Sequence, residues 1–331
     1  VTIPPPLDSR PTPPEFHRFA DVVTQFAEAT DSLLHEELSH PFKIGSEALR
    51  DYAAHSEYPG TQSKQTLLTL ATQQVAVGFE QTDLLRGVAA VLRADTVTLA
   101  PFPLARTSAV IAAKAWYVLT ADSREERLRR FLNEELAALY DLPLPSDEEE
   151  AATFRNDRTA DYLAVGATAG LKPVYRKNTR LWDAPFLART DQRKSEAPPS
   201  ETQLMKDFYR ASGVHEDDLA RMPYSLLSAG THGRFRQAGF IGYAPVGPSV
   251  GGVSTAAMHV TLEVTAQATI YAAWATGTYL HALARYTSVP AEVVLDGLRQ
   301  PATDWLAIAH PEMFTSEAPS SHDGDGAQFT R

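Results

Sequence analysis

Three sets of polar residues interrupt otherwise apolar stretches of this chain, and each has spacing that could serve chemistry. The segment 224–233 reads Tyr-Ser-Leu-Leu-Ser-Ala-Gly-Thr-His-Gly. Tyr224, Ser228 and His232 fall four residues apart, which on a helix places three polar groups along one face. Ser and His at that spacing lack the third group that orients the imidazole of a nucleophilic triad, so His232 reads either as a proton-transfer group or as a satisfied histidine near a helix end. A second set, His259, Glu263, Gln267 and Tyr271, recurs at steps of four along an apolar run read as one long helix, 255–286. Buried polar groups need partners. His259 and Glu263 could share a proton as an acid–base pair, or the ladder could be a solvated stripe. His and Glu four apart can also hold half of a metal site, but no His-Glu-x-x-His and no matching second helix accompanies them, so no metal is expected. The third set is Arg106 and Lys114, two cations on the apolar stretch 104–120. A buried charge is costly unless paired. Both either reach the rim along their stems, pair with a carboxylate, or line a pocket where they stabilise an oxyanion or enolate.

Composition narrows what that chemistry can be. The 331 residues contain no cysteine, which removes disulfides, thiolate nucleophiles and cysteine-held zinc or iron–sulfur clusters. A formal net charge of −11 disfavours general nucleic-acid binding, which draws its affinity from neutralising phosphates, and disfavours anionic membrane surfaces. No run approaches the ~18 apolar residues of a membrane helix. Residues Val1–Pro6 carry no basic segment followed by an apolar one, so no signal peptide is expected, and the chain reads as a soluble cytoplasmic protein. The phosphate loop Gly-x-x-x-x-Gly-Lys-Ser/Thr, the dinucleotide fingerprint and the Gly-x-Ser-x-Gly nucleophile elbow are all missing, so no cofactor is expected. The run Asp147-Glu148-Glu149-Glu150 sits at a helix start, where acids complement the dipole.

The elements that must position these residues are helices. Apolar residues at helical spacing predict helices over 15–40, 64–94, 104–120, 124–140, from Ser146 to about 170, over 201–212, 223–233 and 255–286, and two short ones at 290–299 and 301–309. Residues 45–60 predict a short helix and turn. Residues 171–200, basic and then proline-rich with Trp182 and Phe186 as anchors, predict a long surface loop. The stretch 237–254 is too rich in Gly and Pro to be helical throughout and predicts a loop or short hairpin. The expected fold class is all-α, a multi-helix bundle around one core. Residues 1–14, with six prolines, read as an extended arm. Residues 15–312 read as a single helical domain, with two packed halves meeting near 171–200 left open, and 313–331 as a flexible acidic tail.

Three segments carry a resemblance. Arg106 through Tyr140 holds an Arg-led apolar helix ending in Trp116-Tyr117-Val118-Leu119, then a helix with Arg124, Arg127 and Arg130. Tyr224-x-x-Leu227-Ser228-x-x-x-His232-Gly233 is the second, and Arg50-Asp51-Tyr52-Ala53-Ala54-His55 the third. The first two resemble uncharacterised actinobacterial helical proteins distantly akin to HEPN-like domains. The third resembles the short Arg-x-x-x-x-His signature of HEPN-type helical ribonucleases. The resemblance implies an all-helical fold, a site near Arg106 and His232, and an alternative ribonuclease site at Arg50 and His55.

Together these readings predict a cofactor-independent small-molecule enzyme performing acid–base chemistry, such as dehydration, cyclisation or another lyase-type step, in a cavity between helices. His232 or His259 would move the proton and Glu263 would orient or share it. Arg106 or Lys114 would stabilise the oxyanion. Tyr224, Ser228, Gln267 and Tyr271 would bind the substrate. The alternatives are a metal-independent, HEPN-like ribonuclease or toxin-type protein, and a non-catalytic helical scaffold or ligand-binding module. The expected partner is a small molecule, without membrane or nucleic acid, and a homodimer is left open.

Overall fold

The computed structural model describes residues 14–57, 61–94, 99–141, 149–175, 185–189, 196–231, 234, 242–250 and 253–314. Among them the chain is an all-α bundle of helices packed around one core, joined by two small hairpins. Of the expected arm 1–14, residue Pro14 opens the first helix, and of the expected tail 313–331, Met313 ends a 3-10 turn; residues 1–13 and 315–331, and the Ser146 cap, lie outside the described residues. None of the described helices is long and apolar enough to cross a membrane.

Helix α1, Pro14–Leu33, buries Phe19, Val23, Phe26 and Ala27 on one face and runs into a wider π turn, Leu34–Leu38. It lies against α3, Thr61–Arg93. The π turn meets α3 closely at Gly78, where an added Cβ would collide with the Leu34 side chain. Between them in sequence, α2, Glu47–Ala53, is capped by buried Ser46, whose Oγ accepts from the Leu49 N–H at 3.0 Å. Helix α4, Pro101–Leu119, begins on the proline that needs no N–H partner. It buries an alanine-rich face, which lets α3 and α9, Leu262–Thr287, approach it. At the centre of these three helices the Gln81 side chain accepts from Ser108 Oγ at 2.5 Å and from Thr276 Oγ1 at 3.1 Å, and donates to the Ser108 carbonyl at 3.1 Å. That single amide fixes the relative height of α3, α4 and α9.

Helices α5, Arg124–Asp141, and α6, Glu149–Thr168, follow, then strands β1, Lys172–Val174, and β2, Phe186–Ala188, which pair antiparallel. Here the expected surface loop over 171–200 is corrected. Strand β2 is buried, because Asn133 on α5 treats Leu187 as a neighbouring strand would: its Nδ2 donates to the Leu187 carbonyl at 3.1 Å and its Oδ1 accepts from the Leu187 N–H at 2.7 Å. Trp182 lies outside the described residues.

Helix α7, Glu201–Ala211, is capped by Ser200. Helix α8 spans Asp217–Thr231, beginning six residues before the expected start at 223, with Pro223 inside it. The pair β3, Gly242–Val250, and β4, Val253–His259, forms an antiparallel hairpin with an irregular register between Val246 and Val250, where Pro248 has no N–H to donate. The expected helix over 255–286 is therefore corrected at its start: residues 255–259 are strand, and α9 begins only after Thr261, whose extended backbone and Oγ1, accepting from Val264 N–H at 3.3 Å, cap it.

The two short helices expected over 290–299 and 301–309 are one, α10, Ala291–Ala309, with Pro301 inside. Proline removes one backbone bond, but Val294, Leu298, Trp305 and Ala309 carry the buried face past it. Trp305 is wedged edge-on between the rings of Phe19 and Phe26, centroids 5.6 and 5.7 Å away. Burial of that face on both sides of the proline keeps the helix continuous.

Candidate ligand-binding groove

Helix α9 carries two faces with different jobs. One is packed: Ala272, Ala275, Thr276, Tyr279 and Leu283 are buried, with Tyr279 donating its hydroxyl to the Gln74 carbonyl. The other, running Tyr271, Trp274, Thr278, His281 and Arg285 at steps of three and four, is the floor of a groove. Small residues, Ala273, Gly277 and Ala282, keep that floor low. One wall is α10, through Leu295, Leu298, Ala302 and Leu306. The other is formed by Trp116 and Thr120 at the end of α4 and Ser212 just past α7. The groove encloses about 990 Å³.

Its aromatic section is held rigidly. Trp274 stacks on Tyr271 with planes 21° apart and centroids 6.4 Å apart. Buried Tyr209 meets both rings edge-on at 5.6 and 5.9 Å and donates its hydroxyl to the Tyr271 carbonyl at 3.1 Å. Burial pushes the Tyr209 and Tyr271 hydroxyls above the usual phenol range, so both stay neutral. Ser212 Oγ and Thr278 Oγ1 lie 3.1 Å apart and tie the end of α7 to the floor. Trp274 nevertheless remains 38% exposed, so its ring presents apolar surface to the groove.

The groove also carries basic side chains. Arg285 sits in the last turn of α9, where the helix dipole favours positive charge, and His281 lies one turn before it. Neither makes an ion pair or hydrogen bond among the described residues. Arg299 on α10 pairs with Asp296 at 2.7 Å, and His310 with Glu312 at 3.1 Å.

Of the residues singled out from sequence, Tyr271 lines the groove. Arg106 and Tyr224 are brought together elsewhere, at the seam of α4, α7 and α8. Arg106 Nη2 donates to Glu201 Oε1 and to the Tyr224 hydroxyl, the latter at 3.2 Å, and Tyr224 in turn donates to Glu201 at 2.7 Å. The guanidinium lies 5.3 Å from the Tyr224 ring centroid. Ser228 is half-buried one turn on along α8. His232 lies outside the described residues, as does the side chain of His259. The ladder proposed for one helix is divided, because His259 ends β4 while Glu263 opens α9. Exposed Glu263 accepts from Gln267 Nε2 at 3.2 Å. Lys114 is exposed and pairs with Glu134 at 3.1 Å. Arg50 is exposed on the last turn of α2, and His55 falls in the 3-10 turn Ala54–Glu57, its side chain outside the described residues.

Sequence reasoning passed over Trp274, His281, Arg285 and the buried pin beside Arg50. Asp51 and Arg127, 3% and 4% exposed, pair at 2.7 Å. Arg127 also holds Glu47 at 2.7 Å and donates to the Leu119 and Ala121 carbonyls at 3.3 Å, while the Tyr286 hydroxyl donates to Asp51 at 3.2 Å. Burial pushes the Asp51 carboxyl above its ordinary value, opposed by Arg127. With these mutual partners in place, the cluster reads as a clamp joining α2, α5 and α9. The signal for the groove was present in the sequence, as Trp274, His281 and Arg285 share one face of an apolar helix, but only the neighbours show that this face is left uncovered.

Comparison of the chain with family models, curated proteins and solved structures returned no match, so the groove and its chemistry are the ground for a functional reading.

Proposed function

We propose that this protein binds a small, largely apolar molecule in the groove over α9. The observation that carries the reading is the groove itself: about 990 Å³, at the upper end of the ~300–1,000 Å³ typical of small-molecule sites, with a stacked Trp274–Tyr271 pair held by Tyr209. Such a preorganised aromatic wall lowers the cost of ordering on binding. Gly277 is the point at which the floor can be raised. A Cβ there would meet Leu298 at the ordinary contact distance of 3.8 Å, so a larger side chain can start from an unstrained position and project into the groove. The test is titration with a neutral environment-sensitive dye such as Nile red. The wild-type protein should give saturable, one-to-one enhancement, lost in Gly277→Leu and weakened in Trp274→Ala. Enhancement that is absent in wild type, or unaffected by Gly277→Leu, would reject the groove as the site.

The acid–base enzyme is the second reading, favoured by the convergence of Arg106, Tyr224 and Glu201. Arg106 Nε is buried and without a partner among the described residues, leaving a donor for a substrate oxygen. Trp116 at the groove lies ten residues from Arg106 along α4, about 15 Å at 1.5 Å per residue, so this chemistry would occupy a separate site. Conversion of a bound compound, followed by mass spectrometry and abolished by both Glu201→Gln and Tyr224→Phe, would support it. Turnover surviving His232→Ala, His259→Ala and Glu263→Gln would remove those three from it.

A further inference from the structure

Resting on the groove reading, we infer that the occupant is an anionic amphiphile: an extended apolar body, such as an acyl chain, ending in a carboxylate or phosphate held by Arg285 and His281.

The groove is polarised along its length. From Trp274 toward Ile270 and Leu306 it is bounded by aromatic and aliphatic side chains, with His310, already paired with Glu312, one turn beyond Leu306. Toward the end of α9 its lining includes His281 and Arg285, and Arg299 joins it from the middle of α10. Arg299 already has a carboxylate; His281 and Arg285 have no acidic partner among the described residues. In a chain with 41 acidic residues against 30 Lys and Arg, two basic side chains left unpaired beside an apolar groove, among the described residues, are suited to an external anion. Arginine presents a planar fork that matches two oxygens of a carboxylate or phosphate, and the adjacent apolar wall lowers the local dielectric, which strengthens that pairing.

Geometry sets the shape of the ligand. Trp274 and Arg285 are eleven residues apart on α9, about 16 Å along the axis at 1.5 Å per residue. His281 lies one turn closer, so an acidic head can be met from two positions while its tail reaches the Trp274–Tyr271 pair. A compact aromatic acid is too short to use both ends. A medium-length alkyl chain spans them and lies over the small residues Ala273, Gly277 and Ala282 of the floor. The negative charge of the whole protein repels small anions lacking an apolar tail, so the tail is required for affinity and the head for selectivity.

The test is a matched series with one tail: dodecanoate, dodecyl phosphate, dodecanol and dodecylamine. Each is held below its micelle concentration and measured by displacement of Nile red and by quenching of tryptophan fluorescence. The expected result is that dodecanoate or dodecyl phosphate binds about tenfold or more tightly than dodecanol, the difference of a charge-assisted hydrogen bond, and that dodecylamine binds weakest. Whichever acid binds better tells carboxylate from phosphate as the head. Arg285→Gln combined with His281→Gln should abolish the preference for the acid, and an unfolding midpoint equal to that of wild type would show that the variant is folded. Arg285→Lys, keeping the charge but losing the fork, should recover part of it. Equal affinity for acid and alcohol, or a preference that survives the double variant, would overturn the anionic head and leave the groove reading standing. Failure of Nile red itself would remove both. Displacement of the dye by an acidic amphipathic helical peptide and by none of the dodecyl compounds would make the occupant a protein segment, and the inference would be wrong.

Discussion

At the scale of single residues, the largest energetic stakes lie in the buried charges. Arg127 is clasped by Asp51 and Glu47 and by two carbonyls at the end of α4. Removing one partner of a buried pair leaves an uncompensated charge, at a cost of about 3–5 kcal/mol. Arg127→Met should therefore lower stability by that order in denaturant unfolding at neutral pH. Burial already pushes the Asp51 carboxyl upward. Without Arg127 it has every reason to take a proton, so the deficit of the variant should shrink as the pH is lowered. A deficit that is small at neutral pH, or independent of pH, would contradict this account. Glu126 behaves in the opposite sense. Burial alone would raise its carboxyl, but hydrogen bonds and charge from Arg129 and Arg130 outweigh that and hold it at about 2. A folded value below the ordinary carboxylate range contributes stability above the ordinary value, and that contribution is lost as pH falls from there through about 2. Comparing acid unfolding of the wild type with Glu126→Gln should show a shallower acid limb in the variant.

At the scale of elements, helix ends explain most of the differences between expected and observed boundaries. The step-of-four pattern runs unbroken from His259 to Tyr271, so periodicity favoured a helix there. Thr261 won because its hydroxyl satisfies the Val264 N–H and its extended backbone turns the preceding residues into strand. At the other end, α9 closes on Ser288, which adopts a left-handed conformation with φ of 58° while Val289 N–H returns to the Ala284 carbonyl at 2.8 Å. Glycine is the usual residue at that position, and a side chain there costs about 1 kcal/mol. Ser288→Gly should therefore raise the unfolding midpoint, a stabilisation of about 1 kcal/mol offset in part by a freer unfolded chain. A lower midpoint would show that the serine makes a compensating contribution. The prolines inside α8 and α10 teach the same lesson. A missing N–H predicts a boundary from sequence, but a helix whose buried residues continue on the far side remains one helix.

At the scale of the whole molecule, the groove exists because α10 and the ends of α4 and α7 flank α9 without covering it. Filling it is expected to separate binding from stability. Glycine inside a helix costs about 1 kcal/mol relative to alanine, so the Gly277→Leu protein that fails to bind Nile red should unfold at a midpoint no lower than wild type; a destabilised variant would mean that the floor is packed rather than open. The chain alone determined the all-helical class, the positions of the long helices and the apolar faces that build the core, because these follow from local periodicity and from which residues are driven out of water. It also made Arg106 and Tyr224 legible as polar residues in need of partners. What only tertiary structure decided is which of those needs are met within the fold. Glu201 comes from 95 residues beyond Arg106 and Asp51 from 76 residues before Arg127, and no local pattern encodes either pairing. For the same reason the groove was hidden: Trp274, His281 and Arg285 look like any face of a helix until the neighbours that might have covered them are seen to pass on either side.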